Sequence, residues 1–185
     1  MAYKHGVYTS EVPTSVVPAV NTAAGLPVVF GTAPVHLASE RAQSNKPILC
    51  YSYAEAVQQL GYSKDWAKYT LCEVMYSQFA LYNRGPVVFV NVLDPQTHKK
   101  STSSKNVTVT NKVAKVDAPV LLDTLQIKAS TAGSALIAGS DYEAAYDDDG
   151  VLVITLLDDG TATAASNLTL TYDEIDAAAV DADDI

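Results

Sequence analysis

The sequence predicts an α+β protein: an incomplete α/β unit with parallel strands plus an inserted small antiparallel β domain, preceded by an extended N-terminal arm. Three observations predict it. Two continuous apolar runs, residues 27–33 and 87–93, bracket a stretch with helical periodicity. Short alternating runs separated by Asp-Gly turns then follow between residues 107 and 172. Finally, the net charge of −9 is sorted along the chain. Residues 1–92 carry 6 basic and 5 acidic side chains, residues 93–140 carry 6 Lys and 3 Asp, and residues 141–185 carry 13 acidic and no basic ones. Such asymmetry argues for separate parts. The resulting division is an arm at 1–25, an α/β core part at 26–95, a β-rich insertion at 96–175 and an acidic segment at 176–185. That last segment leads back to a core whose remaining strands lie elsewhere.

In residues 1–25, Pro13 and Pro18 break any helix, while Val7, Tyr8, Thr9, Val12, Val16 and Val17 are strand formers. This apolar content needs a surface to cover it. Packing on its own domain and adding a strand to a neighbouring subunit both satisfy that need.

Residues 27–33 read as a strand buried on both faces. Ser52 and Glu55 have capping-box spacing and open a helix that Gly61 ends. A second helix is expected over 65–83, with Leu71, Met75, Phe79 and Tyr82 as its core-facing stripe. Gly85-Pro86 stops it, and residues 87–93 form a second buried strand, parallel to the first through a right-handed crossover. Two parallel strands do not make a stable sheet, so further strands are expected from elsewhere. In the β-rich part, residues 107–110, 125–128, 151–156 and 168–172 are the strand candidates of a small sandwich or barrel. Asp148-Asp149-Gly150 and Asp158-Asp159-Gly160 are the turns between them. The acidic tail, 173–185, has a composition compatible with helix.

Composition removes several function classes. No window approaches the roughly 18 apolar residues of a membrane span, and the first residues hold no apolar leader run. The 2 Cys, Cys50 and Cys72, exclude a disulfide framework and any Cys-x-x-Cys motif; buried thiols in a reduced intracellular protein are expected. The acidic end offers nucleic acid no surface. The lysines at 99, 100, 105, 112 and 115 lack interleaved aromatics. They read as a solvated linker and exposed β face, or as a complement to the acidic block of another copy.

Chemistry-bearing motifs are missing. There is no dinucleotide, P-loop, nucleophile-elbow or zinc-protease pattern. His5, His36 and His98 lie in different segments without ligand spacing, and are expected to be surface or satisfied histidines. The run Asp147-Asp-Asp-Gly150 fails as a calcium loop, because Ala145 and Leu156 stand where ligands are needed. One acid/base pair can be framed from topology: His36 and Asp94 sit just beyond the ends of the two expected parallel strands. Nothing supplies a nucleophile beside them. No catalytic, cofactor-binding or metal-binding residue is therefore assigned, and no cofactor is expected.

At His5-Gly-Val-Tyr-Thr-Ser-Glu-Val-Pro13 and Pro27-Val-Val-Phe-Gly-Thr-Ala-Pro-Val-His36 the chain resembles the tail sheath proteins of contractile bacteriophage tails and phage-tail-like particles. That family opens with an arm reading Gly-Val-Tyr-x-x-Glu and carries a β-rich insertion within an α/β core. Asp173-Glu-Ile and Ala182-Asp-Asp-Ile185 resemble the segment by which such a chain re-enters its core. The resemblance covers only the front part of the family, so a first portion of a longer sheath protein and a short sheath-like protein are both expected readings.

The resemblance implies a structural subunit of the virion's contractile tail, assembled in the bacterial host cytoplasm. Its partners would be copies of itself, a tail tube protein, and baseplate and tail terminator proteins, with no nucleic acid and no direct membrane insertion. Sheath polymers shorten and drive the tube through a bacterial envelope with energy stored in packing. Val7, Tyr8, Val12, Val16 and Val17 are then the subunit-interface residues. Two alternatives stand beside it: another virion component (baseplate, neck or capping ring) with a sheath-like fold, and a small enzyme using His36 and Asp94.

Overall fold

Apolar β-formers at residues 28–31, 47–50 and 87–91 build the first sheet. Val28–Gly31 is β1, Pro47–Cys50 is β2 and Val87–Asn91 is β3, and they pair in the order β1-β3-β2. The structure, a computed structural model, describes residues 25–130 and 133–184. β1 runs parallel to β3, with Val29 opposite Phe89, and β2 runs antiparallel to β3, with Ile48 opposite Phe89. The strand pairing with β3 on its second side is therefore local and antiparallel. Its short Pro-Ile-Leu-Cys sequence, opening on a proline, gave no strand pattern to read.

Two helices lie between β2 and β3. α1 is Tyr53–Leu60, and its Ser52 cap accepts a hydrogen bond from Glu55 N at 3.3 Å. The Glu55 carboxylate accepts in turn from Tyr51 N at 2.9 Å, one residue further back than the usual box. Gly61 closes the helix at φ +74°, donating to Val57 O at 2.8 Å. A Cβ there would clash with Pro34 O, a backbone atom, so the glycine is required both by its φ and by space.

α2 is Thr70–Met75, five residues later than expected, because Asp65 O accepts from Lys68 N and Tyr69 N and forms a separate turn. From Tyr76 to Leu81 the helix continues with wider π geometry. Leu71, Met75 and Phe79 are buried as expected, but Tyr82 is 65% exposed. The wider winding carries it off the stripe, which corrects its assignment to the core.

The β-rich part is two antiparallel three-stranded sheets. Its strands are β4 (Lys99–Thr108), β5 (Val113–Val116), β6 (Gln126–Lys128), β7 (Tyr142–Tyr146), β8 (Leu152–Leu156) and β9 (Asn167–Ile175). The orders are β4-β9-β6 and β5-β8-β7. Alternation in β8 turns Leu152, Ile154 and Leu156 inward to meet Ile127, Leu168, Leu170 and Tyr172 of the other sheet in one core. The Asp148-Asp149-Gly150 turn joins β7 to β8. Asp147 supports it by accepting from Asp149 N and Val151 N at 3.1 and 2.9 Å. This side chain is thus used by a hairpin.

Asp141 holds the next loop. Its carboxylate accepts from Ile137 N and Thr161 N, each at 2.8 Å, and from Thr161 Oγ1 at 2.9 Å. These bonds hold its pKa below the usual carboxylate value. A depressed folded pKa contributes stability that is present above the unfolded value and lost as pH falls through the folded one. Asp141→Ala is therefore expected to lower the urea midpoint at neutral pH. Its deficit relative to wild type should shrink as acid protonates the wild-type carboxylate; a deficit unchanged by acid would show that charge is not what Asp141 contributes.

β9 connects the two parts. Leu168, Leu170 and Tyr172 belong to the second core, whereas Ile175 is buried in the first with Leu121, and Ala177 and Val180 pack beside it. The acidic segment forms two short 3-10 turns, Ala177–Ala179 and Ala182–Asp184. Asp176 and Asp181 cap Ala178 N and Asp183 N, and such side-chain bonds compete with a longer helix.

Candidate assembly surface

Strand pairing places residues opposite one another on the same face of a sheet. In the first sheet one face carries Val29, Phe89 and Ile48, which pack against the helices. The other face is built from two rows: Val28, Val88 and Leu49, then Phe30, Val90 and Pro47. Every one of these side chains is apolar, and no charged residue occurs in β1, β2 or β3. Val28, Phe30 and Leu49 are 53%, 54% and 39% exposed. Tyr51, two residues beyond Leu49, extends the exposed surface.

The expectation that β1 is buried on both faces is thus corrected. Among the described residues only one face is covered. An apolar run reports that both faces favour burial, and the sequence held no signal for which face would stay open. This surface, rather than a cluster of titratable groups, is the feature sequence reading missed.

The sheet edges differ in the same sense. β4, at an edge of its sheet, carries Lys99, Lys100 and Lys105, a bulge between Thr102 and Lys105, and Ser104 at φ +55°. Charge and a bulge are what protect an edge from unwanted pairing. β1, also an edge strand, has neither.

Val7, Tyr8, Val12, Val16 and Val17 lie outside the described residues. His36 and Asp94 have different neighbours. His36 packs edge-on to Tyr146 at 5.3 Å and against Tyr69 at 6.0 Å, while Asp94 Oδ1 accepts from Gln96 N at 2.9 Å. Burial first, then Lys68 and Arg41, lowers the His36 pKa to about 3. Its Nδ1 is buried and has no hydrogen-bond partner among the described residues, so His36 is neither at the surface nor satisfied. His98 is also buried. Its Nδ1 accepts from Asp94 N at 3.0 Å, and its Nε2 lies 3.2 Å from Asp184. Cys50 and Cys72 are free and buried, with burial pushing both thiols up to about 11. Three of the five clustered lysines meet acids within the chain: Lys99 bonds Asp173 at 2.7 Å, Lys112 bonds Asp158, and Lys115 lies 3.9 Å from Asp147, while Lys105 Nζ donates to Tyr172 Oη at 3.2 Å.

Among the described residues, an uncharged sheet face left open beside a guarded β unit is an exposed apolar surface of the kind that marks an interaction site. The comparisons point the same way. The chain is similar to a phage tail sheath protein. That relative, from Burkholderia phage BcepMu, is 30% identical over 189 residues, which cover 99% of this chain and 36% of the sheath protein. The chain therefore spans about a third of the length of this sheath relative. No protein-family profile matches the chain, and no solved structure does.

Proposed function

We propose that the chain is a structural subunit of a contractile phage tail, or phage-tail-like particle, forming a sheath around the tail tube and contracting to drive that tube through a bacterial envelope. The similarity to a tail sheath protein along 99% of the chain carries this reading. The physical arrangement supports it. An apolar face without formal charge favours association by burial, which needs no reacting group.

In this reading residues 1–25 are an arm whose Val7, Tyr8, Val12, Val16 and Val17 contact neighbouring subunits. Residues 26–95 belong to the polymerising core, and 96–175 project as an insertion whose Lys-bearing, bulged β4 edge keeps it apart from its neighbours. Residues 176–185 return to the core. Copies of the chain and the tube protein are the direct partners, with baseplate and terminator proteins at the ends of the polymer. Assembly takes place in the host cytoplasm and the product resides in the virion.

Sedimentation and negative-stain electron microscopy test the reading. The full chain is expected to form extended tubular assemblies, and deleting residues 1–20 to abolish them while the β sheets stay folded. Single closed rings would instead favour a capping component. Normal polymers from the deletion variant would remove the arm from the interface.

A further inference from the structure

We infer that the packing of His36 on Tyr146 is a latch between the two parts of the chain, closed while the imidazole is neutral and released when it takes up a proton. The inference concerns the chain's own conformation and stands apart from what the chain assembles into.

The two parts have separate cores, and two kinds of contact join them. One is the backbone at the chain crossings. Asp176 N donates to His98 O at 3.0 Å, Ile175 N to Pro119 O at 2.9 Å and Leu121 N to Asp173 O at 2.8 Å. These bonds carry no titrating group and serve as the pivot. The other is side-chain packing. The 3-10 turn Val35–Leu37, which follows β1, sets His36 edge-on to Tyr146 of β7, with ring centroids 5.3 Å apart. Leu37 Cδ1 lies 3.6 Å from where a Cβ on Gly150 would stand, so the same turn also meets the end of the β7–β8 hairpin. Beside these contacts a crevice runs between the parts, with His36, Asp65, Lys68 and Tyr69 on one wall and Asp117 and Asp149 on the other.

The surroundings of the ring suit only its neutral form. His36 is buried between Tyr69 and Tyr146, and its Nδ1 has no hydrogen-bond partner among the described residues. The Tyr146 hydroxyl donates to Val120 O at 2.7 Å, which fixes that ring to the β unit. The Arg41 guanidinium, whose Nε donates to Val35 O at 3.3 Å, and Lys68 are the cations that bear on His36. No described carboxylate pairs with the imidazole. A proton on Nδ1 would therefore leave a buried cation beside two others, which is costly in a dry contact. Parting the walls brings water to the ring and opens it to Asp65, Asp117 and Asp149, which line the same gap.

The sign follows from burial. Burial, then Lys68 and Arg41, holds the closed ring's pKa at about 3, below its ordinary 6.5. The contact is thus at full strength above about pH 6.5 and weakens as pH falls toward 3. With the ordinary value restored in the open form, each pH unit below that point favours opening about tenfold, or about a hundredfold at roughly pH 4.5.

Energy transfer across the crevice tests the latch in the full chain. The donor is the single tryptophan, Trp66, which packs against the first core and whose Nε1 donates to Tyr62 Oη at 3.4 Å on the crevice wall. The acceptor is a dansyl group on Asp148→Cys, in the exposed turn of the opposite wall; Cys50 and Cys72 are buried and stay unlabelled. Transfer is followed from about pH 7 to about pH 4.5, at dilutions where it no longer depends on concentration. Trp66 emission of the unlabelled chain reports on folding. Transfer is expected to fall reversibly with acid while that emission stays native. His36→Phe, neutral at every pH, is expected to hold transfer constant in the same labelled chain; should it not fold, His36→Gln takes its place with the same expectation. Transfer that does not respond to acid, or that falls equally in the neutral variant, overturns the latch. A fall that coincides with loss of the native Trp66 emission overturns it too, because the first core has then opened with the contact.

Discussion

Replacing Phe89 with alanine is expected to destabilise the chain by about 3–5 kcal/mol. Phe89 is fully buried at the centre of β3, flanked across the ladders by Val29 and Ile48. Its ring centroid lies 6.1 Å from that of Phe79, so it joins the sheet to the wide helical turn above it. Truncation removes the transfer term of an aromatic ring and leaves a cavity that a strand hydrogen-bonded on both sides closes poorly. Phe89→Leu keeps much of the volume and is expected to cost less, about 1.5 kcal/mol or below. Urea titrations read through Trp66 fluorescence measure both. A loss under about 1 kcal/mol for the alanine variant would show that this core is not closed around Phe89.

The second large effect concerns acid. The His36 pKa falls from 6.5 to about 3 in the folded chain, chiefly through burial. Between those values the unfolded state binds a proton that the folded state refuses. Stability is therefore present in full above about pH 6.5 and declines as pH drops toward 3. A difference of this size is worth on the order of 4 kcal/mol by the acid end of the window. His36→Phe keeps a ring against Tyr146 and removes both the titrating group and the buried, unpartnered Nδ1.

The Phe variant is expected to match or exceed wild-type stability at neutral pH and to lose far less on acidification. Denaturant midpoints measured from neutral pH down to about pH 4 decide it. Parallel decline of the two proteins would mean that His36 is not held neutral by burial. The loss associated with Asp141 does not confuse the result, because Asp141 is present in both proteins and its contribution cancels in the comparison of His36→Phe with wild type.

What the sequence made legible was local. The Ser52 cap and the Gly61 stop need only residues within one helix, and the hairpin at Asp147 needs only its own turn. The mixed α+β character and the parallel pairing of β1 with β3 followed from long apolar runs of matching type. The omissions are non-local. β2 and β7 are short or Ala-bearing, and the first half of β4 is wholly polar; each is a strand because of what lies beside it. Tyr82 left its stripe through a change of helical winding that its spacing did not encode. The candidate surface was half legible: its residues were identified as strand residues, but burial on both faces was inferred where only one is covered among the described residues.

β9 has a mechanical meaning as well as a packing one. It is the central strand of its sheet, bonded to β4 on one side and β6 on the other, and its last residue, Ile175, is anchored in the other core. Asp176 N bonds His98 O at 3.0 Å just beyond it, tying the outgoing and returning chain crossings together. A load applied to the β unit runs along β9 into the α/β core and meets two ladders in shear, not one edge that can peel. The two parts are thus coupled through a bonded pair of chain crossings, with Ile175 and Leu121 set in the first core, so a displacement of the core is passed to the β unit along β9.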